Sequence, residues 1–507
     1  MIENSMINLT PPLQHSEGIN KNAGRESDKL SKRIKQTNHS TQRKKKVKAK
    51  KRNAAEVGKE SSVAAQALYP NNADYSNHPE ILSLKDFIEK SPTAWHAVDY
   101  IKNEFLQKGF EELDFMTMNG KLKSGGKYFL EKNDSTVVAF VMPNKKPKSC
   151  SIIGGHTDSP ALKLKPNAEI ESSGLNLLLP EFYGGPILPT WFSRDLKLAG
   201  RVTYIDDTGE TKWKLYDSEE AVAHLPPAPI HLNRDQLKKL EINEQKHLPV
   251  ITTLAGTHQG SFVEHLLLKK INFKQILGKE LFLCPAEKPR CFNGQFLSSW
   301  RLDNLMGTHA AYRSLLENAD PEEDRIKIFI SWDNEEVGSE TAQGAASSLI
   351  DEILSIIFHH FDFTPEESIA YKEASGIISI DSAHAENPNY KELYDTENAP
   401  RLAGGPVIKF NAQQHYSTDS ISESWVREVA QKYNVPVSEF CARTDGRCGT
   451  TIGPIVSTKQ GIRGCDIGVS QLAMHSIREL FALVDHLRMI KLLEGLYKHE
   501  FVVKRGQ

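Results

Sequence analysis

Residues 328–336 read Ile328-Phe329-Ile330-Ser331-Trp332-Asp333-Asn334-Glu335-Glu336, an apolar run that ends in an acidic pair. The same order recurs in Ile152-Ile153-Gly154-Gly155-His156-Thr157-Asp158 and in Ile378-Ser379-Ile380-Asp381-Ser382-Ala383-His384. Short apolar runs of this kind predict buried strands. Ligands of open α/β sheets bind beyond the carboxyl ends of such strands. The three stretches therefore predict one site that is built from distant parts of the chain.

Outward from these stretches, strand and helix patterns alternate. Residues 137–141 predict another strand, and Ile81, Leu84 and Phe87 recur at helical spacing. The apolar residues from Ile477 to Ile490 predict a last helix with one apolar face. This alternation favours an α/β fold, in which a sheet is flanked by helices.

Residues 168–292 have a different pattern, with short strands predicted at 201–205 and 212–215 and with frequent glycine and proline. We interpret them as a β-rich domain inserted into an α/β domain that comprises residues 79–167 and 293–507.

The charge is unevenly distributed. Residues 1–80 carry 15 Lys and Arg against 8 Asp and Glu, whereas the remaining residues carry 48 against 57, which gives the net charge of −2. Residues 1–78 have the composition of a disordered leader, and eight of the ten residues in Arg43–Arg52 are basic. This charge distribution argues against a protein devoted entirely to nucleic-acid binding. The leader alone is a candidate for binding nucleic acid or another anionic partner, and a solvated tail without a partner is the alternative.

No segment has the length and apolar character of a membrane span, and the N-terminus lacks the features of a secretory signal. The six cysteines contain no Cys-x-x-Cys pair and form no evident disulfide framework. We therefore expect a protein of the reducing cytoplasm that does not bind a membrane.

The polar residues after the strands suit a metal site. Imidazole and carboxylate without thiolate are typical ligands for Zn, Mn or Co. Of two adjacent glutamates, Glu335 and Glu336, one can bind metal while the other moves protons, and Asp158 can orient His156. Each motif alone has a simpler explanation, namely a hydrogen-bonded loop for His-x-Asp and a solvated surface for Glu-Glu.

Taken together, the motifs resemble those of the aspartyl aminopeptidases, which are dinuclear-zinc exopeptidases. The resemblance extends from about residue 80 to the end of the chain. Its stretches are Gly155–Pro160, Thr190–Phe192, Arg194–Leu196, Leu198–Arg201, Arg301–Leu305, Asp333–Ser339, Asp381–Ala385, Gly405–Lys409, Cys448–Pro454 and Gln471–Glu479.

The resemblance implies a zinc-peptidase fold with a mixed sheet, and a role for each of ten residues. Two divalent metal ions, most often zinc, would be held by five ligands, with Asp303 as the bridge. The metal ligands are His156, Asp303, Glu336, Asp381 and His475. The general base is Glu335, a ligand-tuning residue is Asp158, and the substrate-pocket residues are His384 and Lys409. In addition, His231 matches a histidine that reaches into the site of a neighbouring subunit.

The implied activity is removal of unblocked N-terminal Asp or Glu from peptides by a metal-activated water. The implied assembly is a homo-oligomer, a dodecamer in the family, that forms partly through the inserted domain. A related two-metal peptidase or deacylase with another side-chain preference is the alternative enzyme, and a non-catalytic assembly or nucleic-acid-binding protein is the alternative outside enzymes.

The chain departs from the family pattern in Tyr183-Gly184-Gly185-Pro186-Ile187-Leu188 and at Ser193. A third glycine and a tryptophan are usual where Pro186 and Leu188 stand, and an aspartate is usual at position 193. Because these positions lie in the insert, we expect them to affect assembly and not the metal site.

Overall fold

The structure, a computed structural model, describes residues 69–501 apart from His258, Glu323 and the side chains of Gln236 and Leu237. The basic run Arg43–Arg52 and most of the predicted leader lie outside the described residues.

The strands, in chain order, are β1 (Glu111–Glu112), β2 (Lys127–Lys132), β3 (Thr136–Val141), β4 (Ser149–His156), β5 (Ala161–Ser172), β6 (Leu175–Tyr183), β7 (Asp195–Ile205), β8 (Thr211–Asp217), β9 (Ala223–His224), β10 (Val250–Leu254), β11 (Gln275–Pro285), β12 (Arg290–Phe292), β13 (Phe296–Ser299), β14 (Arg325–Trp332), β15 (Gly376–Ile380), β16 (Ala383–His384), β17 (Val407–Phe410), β18 (Ser438–Cys441), β19 (Arg463–Gly468), β20 (Ser470–Leu472) and β21 (Glu479–Ala482). The α-helices are α1 (Pro79–Lys90), α2 (Ala94–Gln107), α3 (Glu244–His247), α4 (Phe262–Leu268), α5 (Leu302–Leu316), α6 (Leu349–His360), α7 (Pro365–Glu373), α8 (Ser420–Lys432), α9 (Ile452–Gln460) and α10 (Leu483–Lys498).

A mixed sheet forms the centre of the α/β part, with the strand order β1-β2-β3-β14-β4-β15-β19-β17-β18. The neighbours β14, β4, β15 and β19 are parallel, whereas β3 runs antiparallel to β14 and β17 antiparallel to β19. Strands β3, β4, β14 and β15 are buried along their whole length. The predicted α/β fold with a mixed sheet is confirmed, including these four strands.

Helices cover both faces of this sheet. Alternate residues of β3 enter different clusters: Val137 and Ala139 pack with α1, α2, α5, α8 and α10, whereas Val138 and Phe140 pack with α6 and α9. A strand that is buried on both faces reads as a continuous apolar run, which is why these strands are visible in the sequence.

The insert forms a second, antiparallel sheet in the order β11-β5-β6-β10-β9-β7-β8. Because β11 pairs with both β5 and β7, this sheet closes on itself around a separate apolar core that contains Trp191 and Leu198. Its first strand starts at Ala161, before the predicted boundary at residue 168, and its last strand ends at Pro285.

A third sheet, in the order β12-β13-β21-β20-β16, was not predicted. It includes residues that the sequence predicts as the start of the last helix, because Glu479–Ala482 pair with β13 and β20 as strand β21. The prediction of helix over residues 477–482 is therefore wrong, and α10 begins at Leu483.

Residues 69–78 belong to the packed structure, although the sequence analysis assigned them to the leader. Tyr75 is buried, and Arg488 donates hydrogen bonds of 2.8 Å to the carbonyl of Tyr69 and to Asn71 Oδ1. The packed chain thus begins before the predicted boundary, because Arg488 of α10 holds this segment by hydrogen bonds and the Tyr75 ring is buried. Among the helices of the described residues, none has the length and apolar content to cross a membrane.

Candidate metal centre

The three motifs that follow strands converge at one edge of the central sheet. His156 is the last residue of β4, Glu335 and Glu336 begin a short 3₁₀ turn after β14, and Asp381 follows β15. Because β14, β4 and β15 are parallel neighbours, their carboxyl ends lie side by side. Asp303 joins them from the first turn of α5.

His156 faces two of the predicted carboxylate ligands. Its Nε2 atom lies 3.4 Å from Asp303 Oδ1 and 3.7 Å from Asp381 Oδ1. The His156 ring is 1% exposed and the Asp303 carboxylate 3% exposed. His156, Asp303 and Asp381 thus offer three ligand atoms that lie within 4.8 Å of one another.

His475 forms the second half of the cluster with the other oxygen of Asp303. Its Nε2 atom lies 3.5 Å from Asp303 Oδ2 and 3.4 Å from Glu336 Oε2. Asp303, Glu336 and His475 also have ligand atoms within 4.8 Å of one another. Asp303 therefore stands between the two halves, with one carboxylate oxygen towards each histidine.

Asp158 connects His156 to the glutamate turn. Its Oδ1 lies 3.3 Å from His156 Nδ1 and accepts the backbone N–H of Glu335 at 3.2 Å. Its Oδ2 accepts the backbone N–H of Glu336 at 3.1 Å and the hydroxyl of Tyr183 at 2.7 Å. The predicted role of Asp158 in orienting a ligand stays a prediction.

Lys409 and His384 border the same cluster. Lys409 lies on β17, is 3% exposed, and donates a hydrogen bond of 3.0 Å to Asp381 Oδ2. Its ammonium also lies over the ring of Tyr416, 5.2 Å from the ring centre. His384 lies on β16 at the exposed rim, edge-on to Phe440.

His231 is exposed and lies in a turn of the insert, where Leu232 donates its backbone N–H to the carbonyl of Pro229. Within the part of the chain that the structure describes, no hydrogen bond or ion pair joins His231 to the metal-site residues. A role in the site of its own subunit is therefore not visible, and its role in a neighbouring subunit stays a prediction.

The carboxylates of the cluster shift the pKa values of its two histidines. Burial opposes protonation of both histidines, but the neighbouring carboxylates of Asp158, Asp303 and Asp381 raise the pKa of His156 above its usual range. In the same way, Asp303 and Glu336 raise the pKa of His475 to about 10. These shifts are those of imidazoles surrounded by carboxylates, which is a setting that attracts cations.

The carboxylates respond differently according to their partners. Burial raises the pKa of Glu335 to about 8, with Asp381, Asp158 and Asp303 acting in the same direction. The pKa of Asp303 is lowered, because its two histidines outweigh the effect of burial. The site thus holds more carboxylates than the nearby cations neutralise.

Glu479 is a site residue that the sequence analysis quoted but assigned no role. It is buried and accepts the backbone N–H groups of Leu302, Asp303 and His475, at 2.7, 3.2 and 2.8 Å. It therefore ties the segments of two predicted ligands together. The feature of the sequence that could have indicated this role is a glutamate four residues after the predicted ligand His475.

Tyr183 is the second residue that was missed. It belongs to the segment whose departures from the family pattern were expected to affect assembly alone. The segment nevertheless contacts the candidate site, since the Tyr183 hydroxyl bonds to Asp158 and the carbonyl of Gly185 lies 3.1 Å from His475 Nδ1. The expectation for the departing positions themselves, Pro186, Leu188 and Ser193, stays a prediction. The segment packs on the metal site because β6 of the insert ends beside it.

The chain matches the family profile described as "Aminopeptidase I zinc metalloprotease (M18)" over residues 87–497. It is 37% identical over 429 residues to the "Probable M18 family aminopeptidase 2" of Pseudomonas savastanoi pv. phaseolicola, covering 82% of this chain and 98% of that protein. The protein of the same description from Clostridium novyi is 40% identical over 427 residues, covering 82% and 97%.

Solved structures give the same result. The cryo-EM structure of an Ape4 and Nbr1 complex matches with a TM-score of 0.78 and 31% identity, over 82% of this chain and 85% of that one. The S. cerevisiae mApe1 dodecamer matches with a TM-score of 0.72 and 26% identity, over 82% and 96%. The family resemblance of the sequence motifs is confirmed, and the chain belongs to the M18 zinc aminopeptidase family.

Proposed function

We propose that this chain is an aspartyl aminopeptidase, which removes an unblocked N-terminal Asp or Glu from peptides. Membership of the M18 family supports the coarser part, a metallo-aminopeptidase. The observation that carries the acidic preference is the buried ammonium of Lys409 beside Asp381.

The donor set fits divalent metal ions. Asp303 Oδ1 and Glu336 Oε1 are buried without a hydrogen-bond partner, which is costly unless a ligand satisfies them. Two ions, zinc by preference and Mn or Co as alternatives, would be held by His156, Asp303, Glu336, Asp381 and His475, with Asp303 bridging. When bound, such ions polarise a carbonyl group and lower the pKa of water.

Glu335 is the proposed general base. Its carboxylate lies in a group with His156 and Glu336 whose ligand-type atoms are within 4.8 Å of one another, so it reaches the reacting centre. Asp158 holds the backbone of Glu335, which fixes where the side chain starts. In this position Glu335 takes a proton from the attacking water and returns it to the leaving amine.

Lys409 supplies the proposed selectivity. Asp381 occupies one side of its ammonium, and the ring of Tyr416 lies 5.2 Å from it on another. A substrate carboxylate that enters this buried setting gains a cation, whereas an apolar side chain leaves that cation without a further partner. His384, at the rim, is the proposed second contact to the substrate.

A homo-oligomer is part of this proposal. Two exposed apolar residues, Ile230 and Leu232, flank His231, and exposed apolar surface of this kind is typical of subunit contacts. The matched mApe1 structure is described as a dodecamer, which we adopt as the expected assembly. The cytoplasm remains the expected compartment, since all six cysteines are free thiols.

The test is turnover of a panel of aminoacyl reporter substrates by the full-length, metal-loaded chain, with a chelated sample as the control. Faster turnover of Asp and Glu substrates than of Leu and Ala substrates, lost on chelation, is expected. Faster turnover of Leu substrates would instead assign the chain to a peptidase of another side-chain preference.

A further inference from the structure

The end of β6 and the turn after it bring the insert into contact with both halves of the metal centre. On one side, the Tyr183 hydroxyl donates to Asp158 Oδ2 at 2.7 Å. On the other side, His475 Nδ1 lies 3.1 Å from the carbonyl of Gly185, and Ile187 donates its backbone N–H to the carbonyl of His475 at 2.9 Å. One short segment thus contacts both Asp158, the neighbour of His156, and His475 itself.

The segment approaches the ligands closely. Gly184 has a positive φ of 68°, and a Cβ atom at this position would lie 3.1 Å from the Cβ of Glu336. A larger residue would therefore crowd Glu336, a proposed metal ligand, and would adopt an unfavourable backbone conformation. The fit leaves the Tyr183 ring fixed between the insert, where it packs edge-on against Phe282, and Asp158.

Asp158 connects Tyr183 to the candidate metal centre. Asp158 Oδ1 lies 3.3 Å from His156 Nδ1 and accepts the backbone N–H of Glu335, while Oδ2 accepts that of Glu336. The backbone carbonyl of Asp158 lies 3.2 Å from the same His156 Nδ1. The Tyr183 hydroxyl also accepts a hydrogen bond of 2.9 Å from Asn334 Nδ2 and donates its single proton to Asp158 Oδ2. Partners of this kind fix the tautomer and orientation of a ligand histidine.

We infer that Tyr183 is a positioning residue of the metal centre, supplied by the inserted domain and acting through Asp158. This inference rests on the proposed metal centre. It gives the insert a role within each subunit, in addition to any role in assembly.

The experiment compares Tyr183→Phe with Tyr216→Phe in the full-length chain. Tyr216 is a matched control, because it is a buried tyrosine of the same insert whose hydroxyl donates a hydrogen bond of 3.4 Å to the carbonyl of Leu266. Within the described residues, none of the hydrogen bonds of Tyr216 involves Asp158 or a predicted metal ligand. Zinc affinity is measured by competition with a chelator, and kcat and KM are measured separately. Thermal unfolding of the metal-free proteins reports on the fold.

We expect Tyr183→Phe to lower zinc affinity or kcat by about 10- to 100-fold, with little change in KM and in the unfolding temperature. Tyr216→Phe should keep the affinity and kcat of the wild type. Equal zinc affinity and equal kcat in Tyr183→Phe and wild type would overturn the inference. A wild-type chain that binds no zinc would instead overturn the proposed metal centre.

A double-mutant cycle with Asp158→Asn tests the route, independently of any effect on folding. If Tyr183 acts through Asp158, its replacement should change zinc affinity much less in the Asp158→Asn background than in the wild type. Additive losses would show that Tyr183 does not act through Asp158, which contradicts the inference.

Discussion

The ammonium of Lys409 lies 3.0 Å from Oδ2 of Asp381, and the other oxygen of that carboxylate lies 3.7 Å from Nε2 of His156. One aspartate thus connects a buried cation to a candidate metal ligand. In the proposed function, substrate recognition and metal binding would therefore share Asp381, and a change at Lys409 should be judged by the ratio between substrates as well as by absolute rates.

Replacing Lys409 by Met should lower kcat/KM for Asp and Glu substrates by about 10²-fold or more relative to Leu and Ala substrates. Loss of one partner from a buried charge pair typically costs about 2–5 kcal/mol, which corresponds to this range. The measurement is kcat/KM over the reporter panel, with Lys409→Arg as a control that keeps the charge. Equal losses for acidic and apolar substrates would show that Lys409 does not determine the preference for acidic residues.

Replacing Glu335 by Gln should leave bound metal unchanged and lower kcat by about 10²–10⁴-fold, since the amide cannot accept the proton. Metal content and kcat are measured on the same preparation. Glu336→Gln provides the contrast, because it removes a predicted ligand and should lower metal content as well. A Glu335→Gln chain with wild-type kcat would contradict its role as general base.

His231 should act in the site of a neighbouring subunit. His231→Phe and Glu335→Gln are each expected to be inactive, and mixing them after dissociation should restore part of the activity. Some mixed sites then combine an intact metal centre with an intact histidine from the neighbour. If subunit exchange is verified and the mixture stays as inactive as its parents, His231 does not act in trans.

Folding stability should fall in acid because of a buried histidine pair. His309 Nδ1 lies 3.0 Å from His486 Nε2, and burial lowers the pKa of His486 to about 3 and that of His309 well below its usual range. In the unfolded chain both have pKa values near 6.5. The unfolded state therefore binds more protons below pH 6.5, and the stabilisation present above that pH is lost as the pH falls towards the folded pKa values.

Each such histidine contributes a slope of up to about 1.4 kcal/mol per pH unit in this window. The midpoint temperature of thermal unfolding should therefore fall less between pH 7 and pH 5 in the double variant His309→Gln/His486→Gln than in the wild type. His359→Gln, an exposed histidine of α6, is the control and should follow the wild type. An unchanged pH dependence in the double variant would refute this assignment.

The sequence alone predicts those parts of the site that follow buried strands. His156, the glutamate pair and Asp381 come directly after apolar runs, and parallel neighbouring strands bring such ends together. His475 lies between two short strands of the third sheet, where three or four residues carry no readable period, so its role came from the family resemblance.

Packing between distant segments explains why strand β21 and the contact of Tyr183 with Asp158 were not predicted. Residues 477–482 have apolar spacing that also suits a helix, but pairing of β21 with β13 decides their structure. Tyr183 contacts Asp158 across 25 positions of the chain, and no local pattern signals such a contact.

The central claim is a two-metal centre bridged by Asp303, and the metal content per chain tests it most directly. Full-length wild type and Asp303→Ala are reconstituted with zinc, freed of excess metal and analysed for zinc per chain, with turnover measured on the same samples. From this claim we expect two ions per wild-type chain, and loss of both metal and activity in Asp303→Ala. Full zinc content together with full turnover in Asp303→Ala would contradict it.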